Sequence, residues 1–321
     1  MLPVRDGVGP SQVSLPPGRW ACMLDFLVER FPAIPATEWN ARMVQGDVLD
    51  GAGHRVRPQQ SYLPHGRLYY YRTVPYEKPN AARATVLFED ELLVAADKPH
   101  FLPVTPSGDY LQETLLVRLR RELGLDALTP LHRIDRETAG VVLFAKQPAT
   151  CAGYHALFAD RAVAKTYQAI ARNDSLLRFP LTRRSTLVNG DHFMQMREAS
   201  GDDATSRKPN AWTEMDLMET HGGFGRYRLR PLTGKRHQLR VHMAALGLPI
   251  LGDRIYPDLR PHGCDEGGNP LRLLAESIAF RDPVTGKSRS FVTRQQLYFP
   301  LDSGTPQAGA DRASDHEVHG S

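Results

Sequence analysis

One short stretch of the chain concentrates most of the side chains that could do chemistry. Residues 132–138, HRIDRET, hold a histidine, two arginines, an aspartate, a glutamate and a threonine. The residues from Gly140 to Ala145 are apolar and rich in β-branched and aromatic types, which predicts a strand buried on both faces. Asp135 would then lie on a loop held by a rigid strand, where catalytic groups are often found. From this stretch alone, an ordinary polar turn before a core strand is the favoured explanation of the same residues.

Two further residues could complete a site with Asp135, although both lie far along the chain. Tyr167 falls on a predicted strand over residues 164–171, and Arg240 falls in a predicted helix that ends at Gly247. A guanidinium beside an aspartate keeps the carboxylate ionised in a dry pocket, which suits nucleophilic or general acid–base chemistry. Taken singly, a turn cap, a half-buried strand residue and a surface ion pair remain adequate explanations for the three.

The elements that must position these residues predict an α+β fold. A hairpin is expected over residues 85–96, and helices over residues 112–123 and 149–158. Two later strands are expected over residues 212–218 and 225–232. Arg226, Arg228 and Arg230 alternate along the second of these, so they share one face, which is either solvated or turned toward phosphates.

Composition narrows the function classes. The 321 residues carry a net charge of +4. Because residues 302–321 hold four acidic residues and one arginine, the remaining body of the chain, residues 1–301, carries a larger positive charge than the whole chain. A basic body suggests a polyanionic partner, although a mildly basic enzyme without one fits as well. Three widely spaced cysteines predict a reducing, cytoplasmic environment. No apolar run reaches membrane-spanning length, and no GxxxxGK[ST], GxGxxG or HExxH motif occurs, so we expect no membrane, nucleotide cofactor or metal.

Changes in composition divide the chain into segments. Residues 1–18, rich in Pro and Gly, are predicted to be disordered, and the acidic tail over 302–321 likewise. Residues 19–72 resemble the small S4-type RNA-binding module, with two helices, a strand and turn, and a closing strand. Its second helix offers Arg42 and few other basic residues, so the likeness is to a degenerate copy. Residues 73–83 are predicted to be a linker before a large domain over 84–301.

Five motifs in the large domain carry a resemblance to a known family. They are VLFEDELLVAADKP, HRIDRETAGVVLFAK, FADRAVAKTYQAIA, RPLTGKRHQLRVHMAALGLPILGDRIYP and LLAESIAFRDPVTGK. In this order and spacing the chain resembles the RNA pseudouridine synthases of the ribosomal large-subunit type. The resemblance implies a mixed, mostly antiparallel sheet with flanking helices, acting as a monomer on RNA without a cofactor. It implies 23S rRNA as the substrate, with tRNA as the alternative.

The resemblance also implies roles for individual residues. Asp135 is similar to the family's catalytic aspartate, Tyr167 to the tyrosine that packs against the target uracil, and Arg240 to the basic residue that pairs with the aspartate. Arg133 is similar to an arginine proposed to fill the gap left by the flipped base. Contacts to the RNA are further expected from Leu239, Lys165 and His237.

Three departures from the family pattern and two rival functions accompany this interpretation. Ala139 stands where the family usually has serine, Phe101 where it usually has glycine, and residues 233–236, TGKR, where it has the TGR-T form. These departures leave the proposed catalytic residues untouched and bear on the choice of substrate. A non-catalytic RNA-binding homologue would also have this pattern, but it would be free to lose Asp135, Tyr167 and Arg240. A glycosidase would need a second catalytic carboxylate, for which only Glu137 is near.

Overall fold

The computed structural model describes residues 2–74, 76–201, 208–260 and 269–300, and the predicted disordered tail lies outside these ranges. Within them, the helices are α1 (Met23–Arg30), α2 (Ala36–Gln45), α3 (Leu115–Leu123), α4 (Pro148–Ala159) and α5 (Gln238–Ala245). The strands are β1 (Ser11–Ser14), β2 (Val48–Leu49), β3 (Arg67–Tyr70), β4 (Thr85–Glu89), β5 (Leu93–Lys98), β6 (Thr129–Pro130), β7 (Ala139–Ala145), β8 (Ala164–Arg172), β9 (Leu181–Ser185), β10 (Leu187–Asn189), β11 (Met196–Glu198), β12 (Ala211–His221), β13 (Phe224–Pro231), β14 (Leu273–Arg281) and β15 (Ser288–Val292).

The N-terminal module packs α1 and α2 against a three-stranded antiparallel sheet in the order β1-β3-β2. Its core is aromatic and aliphatic, with Phe26, Leu27, Trp39 and Leu68 almost wholly buried. The prediction that residues 1–18 are disordered is wrong for residues 11–14, because these form β1. Strand β1 pairs with β3, and Val13 packs in the core, contacts that local composition does not report. The likeness to an S4 module stays a prediction.

The large domain is built on a ten-stranded sheet of mixed, mostly antiparallel pairing, as predicted. Its main path runs β4-β5-β7-β14-β8-β13-β12-β9, with β15 beside β14 and β6 beside β7. Among the described pairs, β7 and β14 run parallel, and the other neighbours in this sheet run antiparallel. The parallel pair joins at Gly140, where φ is +114° and an added Cβ would lie 2.2 Å from the Ala275 carbonyl oxygen. That close approach requires glycine.

Strand β7 is buried on both faces, as its apolar run predicts. Val142 and Phe144 face the cluster that contains Leu115 and Leu119 of α3. On the other face, Leu143 and its alternate neighbours join the cluster that contains Tyr154 of α4. Each such buried side chain contributes roughly 1.5–3 kcal/mol of hydrophobic free energy. The strand that follows Asp135 is therefore held from both sides.

The linker predicted over residues 73–83 lies against the start of α3. The Glu77 carboxylate accepts hydrogen bonds from the backbone N–H groups of Leu111, Gln112 and Glu113, at 2.7, 2.8 and 2.6 Å. Arg118 donates to the Ala82 carbonyl at 2.7 Å. These bonds hold the described residues of the segment against α3 and the loop before it. The segment over residues 73–83, called the strap below, is therefore packed on the large domain.

The three alternating arginines of β13 do share one face, and none of them is among the residues that line the cleft around Asp135. The residues between them, Tyr227 and Leu229, are buried against Leu239 and Met243 of α5. The arginines point the other way, and two of them carry ion pairs, from Arg226 to Glu219 and from Arg230 to Glu214 and Asp216. For these two, the arrangement found is an ion-paired sheet face. None of the helices in the described part of the chain has the length and apolar character to cross a membrane.

Candidate active site

The loop that carries Asp135 is fastened at several points. Leu131 donates its backbone N–H to the Leu143 carbonyl, and Leu143 returns its own N–H to Nε2 of His132 at 3.1 Å. The fully buried Lys98 donates from Nζ to the Arg136 carbonyl at 3.1 Å. Thr138 closes the turn with a backbone bond to the Asp135 carbonyl. The loop therefore presents the Asp135 side chain, 27% exposed, from a rigid base.

Arg240 reaches Asp135 from α5 across the cleft. Its Nη1 lies 3.1 Å from Oδ2 of Asp135, while the guanidinium itself is 1% exposed. The remaining edge of the guanidinium is bound by Asp253, with Nε to Oδ2 at 2.8 Å and Nη2 to Oδ1 at 2.7 Å. Such a bidentate pair fixes the plane of an arginine. Asp253, Asp135 and Glu137 raise the pKa of Arg240 above its usual range against the opposing effect of burial, so it stays charged.

Asp253 holds this geometry because a tight turn brings it under α5. Its Oδ1 also accepts the backbone N–H groups of Ile255 and Tyr256, at 2.8 and 3.1 Å. The preceding Gly252 has φ +75°, and an added Cβ would lie 2.3 Å from the Pro270 carbonyl oxygen, so the turn needs glycine. Sequence reasoning missed the role of Asp253. The Gly-Asp pair after the helix was the available signal.

His237 stands beside the same carboxylate. It caps α5 in a left-handed conformation with φ +54°, and its Nε2 lies 3.8 Å from Oδ2 of Asp135. Its Nδ1 lies 3.0 Å from the Tyr256 hydroxyl. Burial lowers the pKa of His237, although Asp135 acts in the opposite sense, so the imidazole is largely neutral at neutral pH. His237 can therefore contact Asp135 without adding a positive charge.

Tyr167 and Lys165 line the cleft from β8. Tyr167 pairs across the sheet with Leu229 and Ala275. Burial, and then the charge of Asp135, raise the pKa of the Tyr167 phenol, which stays protonated. Lys165 donates from Nζ to the Thr233 carbonyl at 3.3 Å, and burial lowers its pKa.

A second series of polar and charged contacts runs along the loop toward Arg240. The Tyr110 hydroxyl lies 2.6 Å from Nη1 of Arg136, and Nε of Arg136 lies 3.2 Å from Oε1 of Glu137. The other Glu137 oxygen lies 3.9 Å from Nη1 of Arg240. Burial opposes ionisation of Glu137, but Arg240 and Arg136 outweigh it and lower its pKa. Glu137, which the sequence left without a function, balances charge in this network.

All the site residues predicted from the sequence line one cleft of about 970 Å³. Its floor holds Asp135, Tyr167 and Arg240, with the buried Leu239 beside them. Arg133 is exposed at the same cleft. Lys165 and His237 also line it, as do Arg136, Arg161, Lys235 and Arg236, which the sequence did not single out.

The cleft combines an aspartate beside a fixed guanidinium with a protonated phenol and a basic rim. In the described part of the chain, no three side chains of His, Cys, Asp or Glu are grouped as a metal ion would need. This arrangement can place one ionised carboxylate against a polyanionic ligand. An oxygen nucleophile or a base is the chemistry that such a group offers.

Comparison with known proteins relates this chain to one family. Residues 92–245 match the family model described as RNA pseudouridylate synthase. The tRNA pseudouridine synthase C of Vibrio cholerae is 34% identical over 215 residues, which cover 62% of this chain and 86% of that protein. An RNA pseudouridine synthase of Synechocystis sp. is 26% identical over 244 residues, 73% of this chain and 79% of that protein.

A solved structure agrees with the fold. Human RNA Pseudouridylate Synthase Domain Containing 1 aligns with a TM-score of 0.55 at 21% identity, over 68% of this chain and 86% of that chain. At this identity the likeness concerns the fold alone.

Proposed function

Because the chain belongs to the RNA pseudouridine synthases, isomerases that convert uridine to pseudouridine in RNA, we propose that Asp135 is its catalytic residue. The reaction breaks the bond between N1 of the base and C1′ of the ribose, turns the base and joins C5 to C1′. The proton on C5 is lost and N1 gains one, so atoms balance without a co-reactant. The observation that carries the proposal is the contact of Asp135 with the buried Arg240.

Asp135 has to be ionised for this chemistry, whichever atom it acts on. Addition to C1′, addition to C6 and removal of the C2′ proton all require a carboxylate rather than a carboxylic acid. Once bound RNA covers the cleft and excludes water, an unpaired carboxylate would tend to take up a proton. Arg240 opposes this, and Asp253 keeps Arg240 aimed at Asp135. In this proposal Arg240 and Asp135 act as one unit.

Tyr167 is proposed to pack against the target uracil. Its ring lines the cleft from β8, and an aromatic face is a common partner for a base taken out of its stack. The phenol stays protonated, so it can donate a hydrogen bond but does not compete with Asp135 as a base. Leu239 supplies an apolar wall beside it.

The target uridine has to leave its helix before Asp135 can reach it. Arg133, exposed at the cleft beside Asp135, is proposed to occupy the gap that the flipped base leaves. Lys165 and His237 are proposed to contact the RNA at the same cleft, and Lys235 and Arg236 add positive charge at its rim. The basic rim supports a polyanionic substrate, since phosphate contacts supply much of the affinity for nucleic acids.

The substrate is proposed to be a folded cytoplasmic RNA, bound by one copy of the chain. The sequence motifs favour 23S rRNA, while the Vibrio cholerae relative is named for tRNA, so both are candidates. Mapping pseudouridines in total RNA from cells with and without this gene separates them. We expect one or a few sites, in tRNA or in 23S rRNA, to disappear. Identical maps would contradict the proposed function and favour a non-catalytic RNA-binding role.

A further inference from the structure

A small hairpin stands beside the proposed catalytic cleft and has no part in the chemistry. It is formed by β10, β11 and the loop 190–195, and it branches off between β9 and β12. Gln195 donates from Nε2 to the Ile255 carbonyl at 3.0 Å, and Met196 donates its backbone N–H to the Tyr256 hydroxyl at 2.8 Å. That hydroxyl also contacts His237, which faces Asp135. The hairpin is therefore fixed to the wall of the cleft.

The tip of the hairpin is joined directly to the cleft rim. Nη2 of Arg236 donates to the carbonyls of Phe193 and Gln195, at 3.0 and 3.1 Å. Arg236 itself lines the cleft and is exposed, as is its neighbour Lys235. The tip thus lies next to two cations that can reach a phosphate backbone entering the cleft.

Phe193 projects from this tip into solvent. Its side chain is 78% exposed, although Met194 and Met196 of the same hairpin pack on Val241 and Ala244 of α5. The hairpin therefore has an apolar core, and Phe193 stays outside it. Its ring contacts that of His192, with centroids 4.6 Å apart at 37°. A large aromatic group held in water beside two cations is the arrangement that stacks an unpaired base.

We propose that Phe193 is a stacking platform for an unpaired RNA base next to the target uridine, with Arg236 and Lys235 binding the adjoining phosphates. This subsite rests on the proposed function, because it supposes that RNA enters the cleft. It would bind a base outside the pocket in which the chemistry occurs. Its effect would fall on RNA affinity and on the choice of site, rather than on the rate of the chemical step.

The test uses the purified full chain and a short stem–loop RNA with a single loop uridine. 2-Aminopurine, whose fluorescence is quenched by stacking, replaces each other loop base in turn. We expect wild type to quench the probe at one position beside the uridine. Phe193→Ala should lose that quenching and raise the Kd about 5- to 150-fold, the range for one base–aromatic stack. Phe193→Trp should restore both.

Leu176→Ala is the matched control, since Leu176 is 86% exposed on a different loop, and this variant should leave the Kd and quenching unchanged. Quenching and affinity that are equal in wild type and Phe193→Ala, or no quenching in wild type, would overturn the subsite. Neither readout needs turnover. Loss of the proposed function would instead appear as no pseudouridine formed by wild type on its mapped RNA, whereas failure of the subsite alone would leave that activity in place.

Discussion

At the scale of single residues, the site depends on a guanidinium shared between two aspartates. Arg240 gives two hydrogen bonds to Asp253 and one to Asp135. The sequence pointed to Asp135 and Arg240 because the family resemblance gives both of them a role. It did not point to Asp253, which lies in the same motif as Arg240, because a Gly-Asp turn is common and its partner was visible only once α5 was folded over it. Asp253 is therefore the residue whose role most needs a test.

Replacing Asp253 by Asn should destabilise the protein by about 3 to 5 kcal/mol, because the buried Arg240 loses its bidentate, fully buried carboxylate partner. The free energy of unfolding in urea measures this. Asp216→Asn is the control: Asp216 also pairs with an arginine, but at 28% exposure, so its loss should cost less than about 1 kcal/mol. Equal losses in the two variants would contradict the structural role given to Asp253.

At the scale of elements, the strands that position the site were predictable and the strap was not. Strands β4, β5, β7 and β8 follow from alternation or from an apolar run, and α5 ends where Gly247 has φ +76°. Strands β9, β10 and β11 lie in a polar segment whose composition showed no strand pattern. The segment containing Glu77 was predicted to be a plain linker, because a carboxylate does not reveal which distant N–H groups it will bind.

Removing the Glu77 carboxylate should release this strap. Glu77→Ala leaves three backbone N–H groups without their charged acceptor, and we expect a loss of about 2 kcal/mol. Trypsin cleavage after the exposed Arg83 should also become faster, which a time course on gels measures. Glu122→Ala, at an exposed position on α3, should change neither quantity. Unaltered cleavage in Glu77→Ala would show that the strap does not depend on Glu77.

At the scale of the whole molecule, several titratable groups are buried together, so stability should depend on pH. His242 is completely buried between the hydroxyls of Ser185 and Thr213. Burial lowers its pKa to about 4, and burial likewise lowers that of His132 to about 3. The unfolded chain takes up these protons as pH falls through about 6.5, before the folded chain can. The stability contributed by these two neutral rings should therefore be fully present above that pH and be lost progressively below it.

Between pH 7 and pH 5 each of these histidines should cost about 2 kcal/mol of stability. Urea unfolding at pH 7 and at pH 5 measures this loss of stability. Both pH values lie above the usual pKa range of carboxyl groups. His242→Gln, whose amide can keep a hydrogen bond, should reduce the loss between the two pH values by about 2 kcal/mol. His155→Gln, at an exposed histidine, should leave it unchanged. A flat profile from pH 7 to pH 5 would contradict the neutral state of both rings in the folded protein.

The central claim is that Asp135 performs the isomerisation in the cleft that the whole fold assembles. The most direct measurement is pseudouridine formation by purified wild type and Asp135→Asn on the mapped RNA, with RNA affinity and thermal unfolding measured in parallel. Wild type should convert its uridine, and Asp135→Asn should be slower by at least about a thousandfold. RNA binding and the fold should be nearly intact in the variant. Full activity of Asp135→Asn would contradict the account.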